Sequence, residues 1–413
     1  MSKRNQTLYD VAIVGTGPAG CLLAYKLTMA GWAVLLLEKK NLPRYKTCGG
    51  GLTQRALDLI PFDIDDVIED QAHTIRLRVG YKAAFAQTRQ PPAVHLVMRD
   101  RLDYRLAQRA VANGTVLRDH TRFMSLSGRP GNLTIQTSAG PFRARVIVGA
   151  DGVYSRVARA LQLPIQYRIM PALEAELALP PKDLRRFAGT IHFDFGVIPG
   201  GYAWLFPKKD HISAGILARH RPAKQLKPHF FHYLARNSLR RKTKIQSMRL
   251  HPIPCRPDRR NRYADERGLI VGDGTGLVDP VTGEGIYYAL KSAGIAAIAI
   301  EMHLKHRQPL HHEYNHKIKT EIESETLRAD ILARILYSFP ALSNRVLRRY
   351  GAKIGAKHMA VYLGAMTYRQ LFKYVLSPKG VSYLLRPDGA PGRSDDRLLR
   401  TAKPPSRKPL HRS

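Results

Sequence analysis

The chain has 413 residues and a strongly positive charge, with 67 Lys and Arg residues against 32 Asp and Glu residues and a formal net charge of +35. Apolar residues make up 44% of the sequence, and Gly and Pro are common without a period. This composition excludes collagen, a coiled coil and wholesale disorder. The length is sufficient for about two or three domains with a large core.

The three cysteines, Cys21, Cys48 and Cys255, are too few and too scattered for a disulfide framework, and no CxxC pair indicates a zinc ribbon. No apolar run reaches the roughly 18 residues of a membrane-spanning helix. The apolar patch at 11–14 is too short for a secretion signal. We therefore expect a protein of a reducing compartment, cytoplasmic and without a membrane span.

The opening segment predicts a dinucleotide site. A short apolar strand at 9–14 leads into GTGPAG at 15–20, and a helical pattern and a second apolar strand at 33–37 follow. In such a turn Gly15 permits the tight bend, Gly17 lets the backbone approach a pyrophosphate, and Gly20 lets the helix pack on the strand. The free N–H groups of the helix face the phosphates. The residues of this turn assigned to the cofactor are Gly15, Gly17, Pro18, Ala19 and Gly20.

Glu38 ends the second strand, eighteen residues after Gly20, and Lys39 follows it. An acid in this place accepts hydrogen bonds from a ribose and favours FAD or NAD over NADP. Asp151 and Asp273 each follow a later buried strand and its glycine. Flavoproteins need such acceptors for the ribityl hydroxyls, so these segments favour FAD.

Four stretches carry a family resemblance. They are PRYKTCGGG at 43–51, PGGYAWLFP at 199–207, DPVTGEGIYY at 279–288 and YLGAMTYR at 362–369. With the opening segment they make the chain resemble the FAD-dependent aromatic-hydroxylase superfamily and, within it, the geranylgeranyl reductase family, whose PxxYxWxFP motif is present in full. The resemblance extends from residue 9 to about 369.

The resemblance implies roles for individual residues. Asp273 would bind the ribityl chain, Gly283 and Gly285 would offer backbone N–H groups to the flavin ring, and the helix from Ile286 would point its positive end at the pyrimidine edge. Arg99 matches an arginine that contacts FAD, with Arg101 as a competitor. The remaining expected cofactor residues are Glu38, Lys39, Arg44, Cys48, Gly49, Gly50, Asp151, Gly272 and Glu284.

The family motif also predicts the substrate cavity. Tyr202 and Trp204 alternate along a strand, share one face, and with Phe206 would shape the space beside the flavin. Plain core packing is the alternative for such aromatics. Cys48 precedes three glycines, so that its backbone can lie near a ligand. It is either a catalytic residue or a small buried hydrophobe.

The predicted fold class is α/β: a Rossmann-type FAD-binding domain with an inserted β-sheet substrate domain and a C-terminal helical region. The FAD domain would be discontinuous, comprising 1–75, 96–165 and 255–305. The substrate domain would take 76–95 and 166–254. Residues 306–385 would be helical, and 386–413, rich in Pro, Gly, Ser and Arg, would form a basic disordered tail.

The positive charge is clustered. Between Arg219 and Arg262 there are fourteen Lys or Arg residues against one acid. Such a patch attracts lipid head groups, or it is simply a solvated surface. No nucleic-acid-binding motif accompanies it, so no nucleic-acid partner is expected. The HExxH match at His312–His316 lacks a clear third ligand, and we expect no metal site.

These observations favour an FAD-dependent reductase of carbon–carbon double bonds in a polyprenyl, geranylgeranyl-type chain of a lipid, quinone or pigment, with hydride delivered from N5 of reduced flavin. If the substrate is an isoprenoid lipid, the basic clusters would bind an anionic membrane surface on the inner face of the membrane. One alternative is a flavin monooxygenase of the same superfamily. Another is a non-catalytic binder of membranes or nucleic acids that keeps FAD for stability. The electron donor, NAD(P)H or ferredoxin, and the oligomeric state stay open.

Overall fold

The computed structural model describes residues 7–219, 223–379 and 382. Its strands are β1 (Leu8–Val14), β2 (Val34–Leu37), β3 (Gly51–Thr53), β4 (Ile68–Ala72), β5 (Thr74–Val79), β6 (Lys82–Thr88), β7 (Val94–Val97), β8 (Val116–Arg118), β9 (Phe123–Arg129), β10 (Asn132–Thr137), β11 (Gly140–Gly149), β12 (Tyr167–Ala178), β13 (Thr190–Phe195), β14 (Gly201–Pro207), β15 (His211–Ala218), β16 (Lys244–Pro257) and β17 (Gly268–Ile270). Its α-helices are α1 (Pro18–Met29), α2 (Gln54–Leu57), α3 (Arg99–Ala112), α4 (Arg156–Ala160), α5 (Pro181–Leu184), α6 (Leu226–Arg236), α7 (Ile286–His306), α8 (Leu310–Ile318), α9 (Ser324–Ser338), α10 (Pro340–Tyr362) and α11 (Tyr368–Val375).

The first sheet has the strand order β8-β2-β1-β11-β10-β9, and β17 pairs with the C-terminal half of β11. Strands β8, β2, β1, β11 and β17 are parallel. Parallel strands covered on both faces are apolar throughout, and all four residues of Val34–Leu37 are buried. The core on one face of this sheet includes residues of α1, α3 and α7. This is the predicted Rossmann-type arrangement, and it brings the carboxyl ends of β1, β2 and β17 to one edge.

The second sheet has the order β16-β12-β15-β14-β13-β5-β6. All seven residues of β14 and all eight of β15 are buried, because both faces of the sheet are covered. One face packs with α6 around Phe230 and Tyr233. The opposite face carries the aromatic side chains of β13 and β14 and packs against residues of α9, α10 and α11. A small third sheet has the strand order β3-β7-β4.

The chain is helical from Ile286 to Val375 apart from short connections, in agreement with the predicted C-terminal helical region. A π-helical turn over Lys319–Glu323 joins α8 to α9. No helix in the described ranges is long and apolar enough to span a bilayer. The predicted tail at 386–413 lies outside the described residues, and the predicted domain boundaries stay a prediction.

Candidate functional site

The glycine turn is built as its sequence predicts. β1 ends at Val14, and α1 begins at Pro18, the first residue after its N-cap Gly17. Gly15 has φ +110°, and a Cβ there would lie 2.3 Å from the Ala150 carbonyl oxygen. A Cβ on Gly20 would lie 2.0 Å from the carbonyl oxygen of Gly15. Only glycine fits both positions, and the N-terminus of α1 is left open towards the carboxyl edge of the sheet, where a pyrophosphate would bind.

Glu38 lies at the end of β2 and is 4% exposed. Its carboxylate accepts hydrogen bonds from Thr16 Oγ1 (2.6 Å), Arg44 Nε (2.9 Å) and the Lys40 backbone N–H (3.0 Å). Burial alone would raise the pKa of Glu38, but the Arg44 charge and these hydrogen bonds together lower it. The carboxylate is therefore ionised, and its predicted role as a ribose acceptor stays a prediction. Lys39 is exposed.

Asp103 connects the two arginines that the sequence placed near the cofactor. Its buried carboxylate accepts two bonds from Arg99 (2.8 and 2.9 Å) and one from Arg44 (3.0 Å). The Arg99 guanidinium lies 3.9 Å from the place of a Cβ on Gly17. Arg101 instead points outward and pairs with Glu69 (2.8 Å). The structure thus favours Arg99 over Arg101 beside the cofactor.

Asp103 was missed from the sequence as a functional residue. The available signal was its spacing, because residues four apart lie on the same helix face and Arg99 and Asp103 are both on α3.

Asp151 has a structural role that was not predicted from the sequence. Its carboxylate accepts hydrogen bonds from the Ser155 hydroxyl and from the backbone N–H groups of Arg156 (2.7 Å) and Val157 (3.3 Å). It therefore caps the first turn of α4, and its predicted contact with the cofactor stays a prediction. The backbone of Asp151 still lies against Gly15, 3.1 Å from the place of a Cβ there.

The flavin side of the site is formed by two segments near α7. Gly272 has φ +65°, and its N–H donates to Ser292 Oγ (3.0 Å). Asp273 follows it, with the Lys46 ammonium 3.9 Å from its carboxylate. Gly285 is the N-cap of α7, and a Cβ there would lie 3.5 Å from the Asp273 carboxylate. Asp273 and the start of the helix at Ile286 are thus adjacent, as the resemblance implies.

The loop at 279–283 carries one correction. The N–H of Gly283 donates to the Asp279 carbonyl oxygen (2.9 Å) and closes the turn, so it is not the free donor that the resemblance implied. The side chain of Glu284 is also engaged, since it is ion-paired with Arg55 and accepts a bond from Thr53 (2.7 Å).

Three tyrosine hydroxyls from separate elements hold the same loop. Tyr202 of β14 donates to the Thr282 carbonyl oxygen, Tyr337 of α9 to the Val281 carbonyl oxygen (2.6 Å), and Tyr368 of α11 to the Asp279 carboxylate (2.8 Å). Tyr337 did not stand out in the sequence. The C-terminal helices therefore help to position the flavin-side loop.

The segment Cys48–Gly51 lies against the face of the second sheet that carries Trp204 and Phe206. Gly50 has φ +69°, and its N–H lies 3.4 Å from Cys48 Sγ. A Cβ on Gly49 would come within 3.0 Å of Trp204 Nε1 and 3.1 Å of the Phe206 ring. The buried Lys208 ammonium donates to the carbonyl oxygens of Gly49 (2.8 Å) and Val97 (3.0 Å) and fixes the segment to β7.

The predicted cavity aromatics share one face of β14, with Tyr202 3%, Trp204 7% and Phe206 7% exposed. Phe193 contacts Tyr202 and Phe206 edge to face, and Tyr362 contacts Phe193. Trp204 Nε1 has no hydrogen-bond partner among the described residues. A cavity of about 640 Å³ lies elsewhere, lined by residues of α7, α9 and α11 and by Arg55, so the assignment of these aromatics to the substrate cavity stays a prediction.

The residues that would hold FAD fit it, because a Cβ on Gly17 would meet no described atom closer than Arg99 at 3.9 Å, which leaves room for a phosphate beside the start of α1, and Glu38 and Asp273 follow strands that end at the same edge. Within the described ranges there is no group of three or more His, Cys, Asp or Glu side chains arranged to hold a metal ion. Glu313 of the HExxH match pairs with Lys317 (3.0 Å).

Comparisons with known proteins show the family of this chain. Residues 8–324 match the family described as FAD binding domain. A digeranylgeranylglycerophospholipid reductase 1 of Methanopyrus kandleri is 31% identical over 314 residues, which cover 71% of this chain and 80% of the relative.

Two solved structures share the fold. A geranylgeranyl bacteriochlorophyll reductase-like protein from Thermoplasma acidophilum has a TM-score of 0.77 at 20% identity and covers 89% of this chain and 98% of its own. A probable FAD-dependent monooxygenase from Pseudomonas aeruginosa has a TM-score of 0.64 at 18% identity, with 83% and 98% covered. The chain belongs to the geranylgeranyl reductase family and is an FAD-dependent oxidoreductase.

Proposed function

We propose that this protein reduces carbon–carbon double bonds in the polyprenyl chain of a lipid, quinone or pigment, on the face of the second sheet that carries Tyr202, Trp204 and Phe206. The observation that carries the proposal is the contact of this row with two segments that the family resemblance assigns to the cofactor, the loop at 279–283 and the segment Cys48–Gly51. Tyr202 bonds to the loop at 279–283, and Trp204 and Phe206 contact Gly49. A substrate on this row would lie beside the flavin.

The row suits a hydrocarbon chain. Phe193, Leu217 and Tyr362 extend it without adding a charge, and all are nearly inaccessible to water. An apolar, dry surface binds a polyprenyl chain through the hydrophobic effect and excludes water from the reacting carbons.

The chain's own residues orient the cofactor and set its charge. When bound, reduced FAD supplies a hydride from N5. The Glu38 carboxylate and Arg99 would hold its adenosine and phosphate part, and Asp273 its ribityl chain. The N-terminus of α7 directs a partial positive charge at the flavin side, and this favours the anionic form of reduced flavin.

We also propose that the substrate is reached at an anionic membrane surface. Lys227 and Arg236 of α6 and Arg240, Arg241 and Lys244 before and in β16 are exposed. They form part of the basic cluster between Arg219 and Arg262, which contains one acid. Each such charge near an anionic bilayer contributes about 1 kcal/mol to binding.

The test is a single anaerobic turnover. The FAD-loaded protein is reduced chemically and mixed with geranylgeranyl lipids in vesicles of either anionic or zwitterionic phospholipid, and the lipids are analysed by mass spectrometry. We expect products that gain pairs of hydrogen atoms, formed faster on anionic vesicles, with an advantage that salt removes.

Products that gain an oxygen atom, and only in air, would instead establish the monooxygenase alternative. Salt-sensitive vesicle binding without any turnover would establish the non-catalytic binder. Equal rates on both kinds of vesicle would contradict the membrane-surface proposal and leave the reductase intact.

A further inference from the structure

The substrate face, which carries Tyr202, Trp204 and Phe206, also has a polar half. The function proposed above gives these polar side chains no role. In the register of the sheet, Trp204 of β14 lies opposite Gly215 of β15, which lies opposite Glu174 of β12. The next row is Phe206, Ser213 and Glu176. The carboxyl groups of Glu174 and Glu176 therefore lie on the same face as Trp204 and Phe206, with strand β15 between the two rows.

Both carboxyl groups are enclosed. Glu174 is 2% exposed and Glu176 is 5% exposed. Glu174 accepts a hydrogen bond from Ser213 Oγ (2.8 Å). The second carboxyl oxygen of each residue has no well-formed hydrogen bond among the described residues. Buried carboxyl oxygens are rarely left in this condition, because an unpartnered polar atom costs about 1–3 kcal/mol.

Gly215 brings the aromatic row next to Glu174. A Cβ on Gly215 would lie 2.0 Å from the indole ring of Trp204, so the ring lies directly over this glycine and extends towards the adjacent strand β12. The same indole contacts Gly49, and Lys208, which holds the Gly49 carbonyl oxygen, interacts electrostatically with both glutamates. Glu174 thus lies at the border of the aromatic row and the segment Cys48–Gly51.

A path of titratable groups joins this pair to solvent. Asp210 is 81% exposed at its side chain and lies 2.6 Å from Nδ1 of His211. The other ring nitrogen of His211 lies 3.1 Å from Glu176, and Glu176 interacts directly with Glu174. An imidazole that has a carboxyl group close to each of its two ring nitrogens can pass a proton from one side to the other.

We propose that Glu174 is the proton donor of the reduction, recharged from solvent through Asp210, His211 and Glu176. This inference rests on the proposed function. The substrate double bond would receive a hydride with its electron pair at one carbon and the Glu174 proton at the neighbouring carbon. The π electrons form the second C–H bond, FAD is left oxidised, and Glu174 is left as a carboxylate that takes a new proton from Glu176.

The electrostatics agree with this role. Burial, and next the neighbouring Glu176, raise the pKa of Glu174 to about 7, so a substantial fraction of the molecules carry a proton on this group at neutral pH. Burial opposes a positive charge on His211, but Glu176 and Asp210 together raise its pKa. The other polar groups that face the pair are Lys208, Ser213, Arg249 and Ser247 of β16, and Tyr45.

The test compares Glu174→Gln with the unchanged protein and with Glu323→Gln as a matched control. Glu323 is also a buried glutamate with a raised pKa, but it is bonded to Tyr263 (2.6 Å), away from the substrate face. The reduced, FAD-loaded proteins are mixed anaerobically with a geranylgeranyl lipid, and flavin oxidation is followed. We expect Glu174→Gln to slow this step by about 100-fold or more and Glu323→Gln to leave it unchanged.

Two further readouts separate chemistry from damage. Flavin content and reoxidation of the reduced flavin by dioxygen show whether the Glu174→Gln protein is intact. Infrared titration of the oxidised protein should show a protonated carboxyl band that disappears as the pH rises through about 7, and Glu174→Gln should lack it. If the variant does not fold, the single-turnover rate of the unchanged protein must still fall as the pH rises through this range.

A full rate in Glu174→Gln, no such infrared band, or a rate independent of pH across this range would overturn the donor assignment while the reductase proposal stands. Failure of the unchanged protein to oxidise its flavin with any polyprenyl lipid would overturn the proposed function and the donor assignment with it.

Discussion

Buried charged groups are arranged differently at the cofactor end and on the polar half of the substrate face. At the cofactor end, Glu38, Arg44, Asp103 and Arg99 form a continuous chain of charge pairs. On the substrate face, Glu174 lies beside a second carboxyl group, Glu176, and has no ion-pair partner among the described residues. The first arrangement holds a shape ready for FAD, and the second keeps a proton available. Pairing fixes a site, whereas leaving buried acids unpaired makes them reactive.

The largest expected effect tests whether the cofactor end is fixed before FAD arrives. Gly20→Ala would place a Cβ 2.0 Å from the Gly15 carbonyl oxygen, so the turn must open and the purified protein should contain almost no FAD. Gly294→Ala is the control, because its Cβ would meet no atom within 4 Å and an alanine within a helix stabilises by about 0.5–1 kcal/mol. Normal flavin content in Gly20→Ala would show that the turn is adaptable.

A smaller effect concerns the charge pairs themselves. Asp103→Asn would leave Arg44 and Arg99 buried against an uncharged amide. Breaking a buried pair in this way should lower the free energy of unfolding by about 3–5 kcal/mol, measured by chemical denaturation. Glu301→Gln, which removes the exposed pair with Lys305 (3.7 Å), should cost less than about 1 kcal/mol. Equal losses in both variants would show that the buried charge pairs of Asp103 contribute no more to stability than an exposed pair.

The smallest effect concerns the unpaired acid. The pKa of Glu174 is raised from 4.5 to about 7 on folding, so its contribution to stability is fully present below about pH 4.5 and is lost as the pH rises through about 7. At about 1.4 kcal/mol per pH unit the difference is at most about 3.5 kcal/mol. We expect the free energy of unfolding to fall less steeply over this range in Glu174→Gln than in the unchanged protein. Parallel curves of the free energy of unfolding against pH would show that folding does not raise the pKa of Glu174.

The features that the sequence predicted well are local ones. The turn at 15–20 follows from three glycines within one strand–turn–helix unit, and Glu38 follows from the length of the next strand. The choice between Arg99 and Arg101 also had a local signal in Asp103, four residues after Arg99. Such features depend on neighbouring residues, so they are readable before the fold is known.

The features that could not be predicted depend on contacts between distant segments. Glu174 and Glu176 alternate with Leu173, Ala175 and Leu177, a pattern that normally indicates a strand with one solvated face. Only the assembled sheet shows that both faces are covered. The helix cap that Asp151 forms was also not predicted, because its place after a buried strand fits a cofactor acceptor as well as it fits a cap.

The three tyrosine hydroxyls on the loop at 279–283 have an evolutionary consequence. Tyr202, Tyr337 and Tyr368 come from a strand and two helices that are far apart in sequence, and each holds a different residue of the loop. Their anchoring is redundant, so the loss of one hydroxyl leaves two points of attachment. A substitution that removes one of these hydroxyls is therefore expected to leave the loop held by the other two. The helices can then change in sequence while the loop at 279–283 keeps its position.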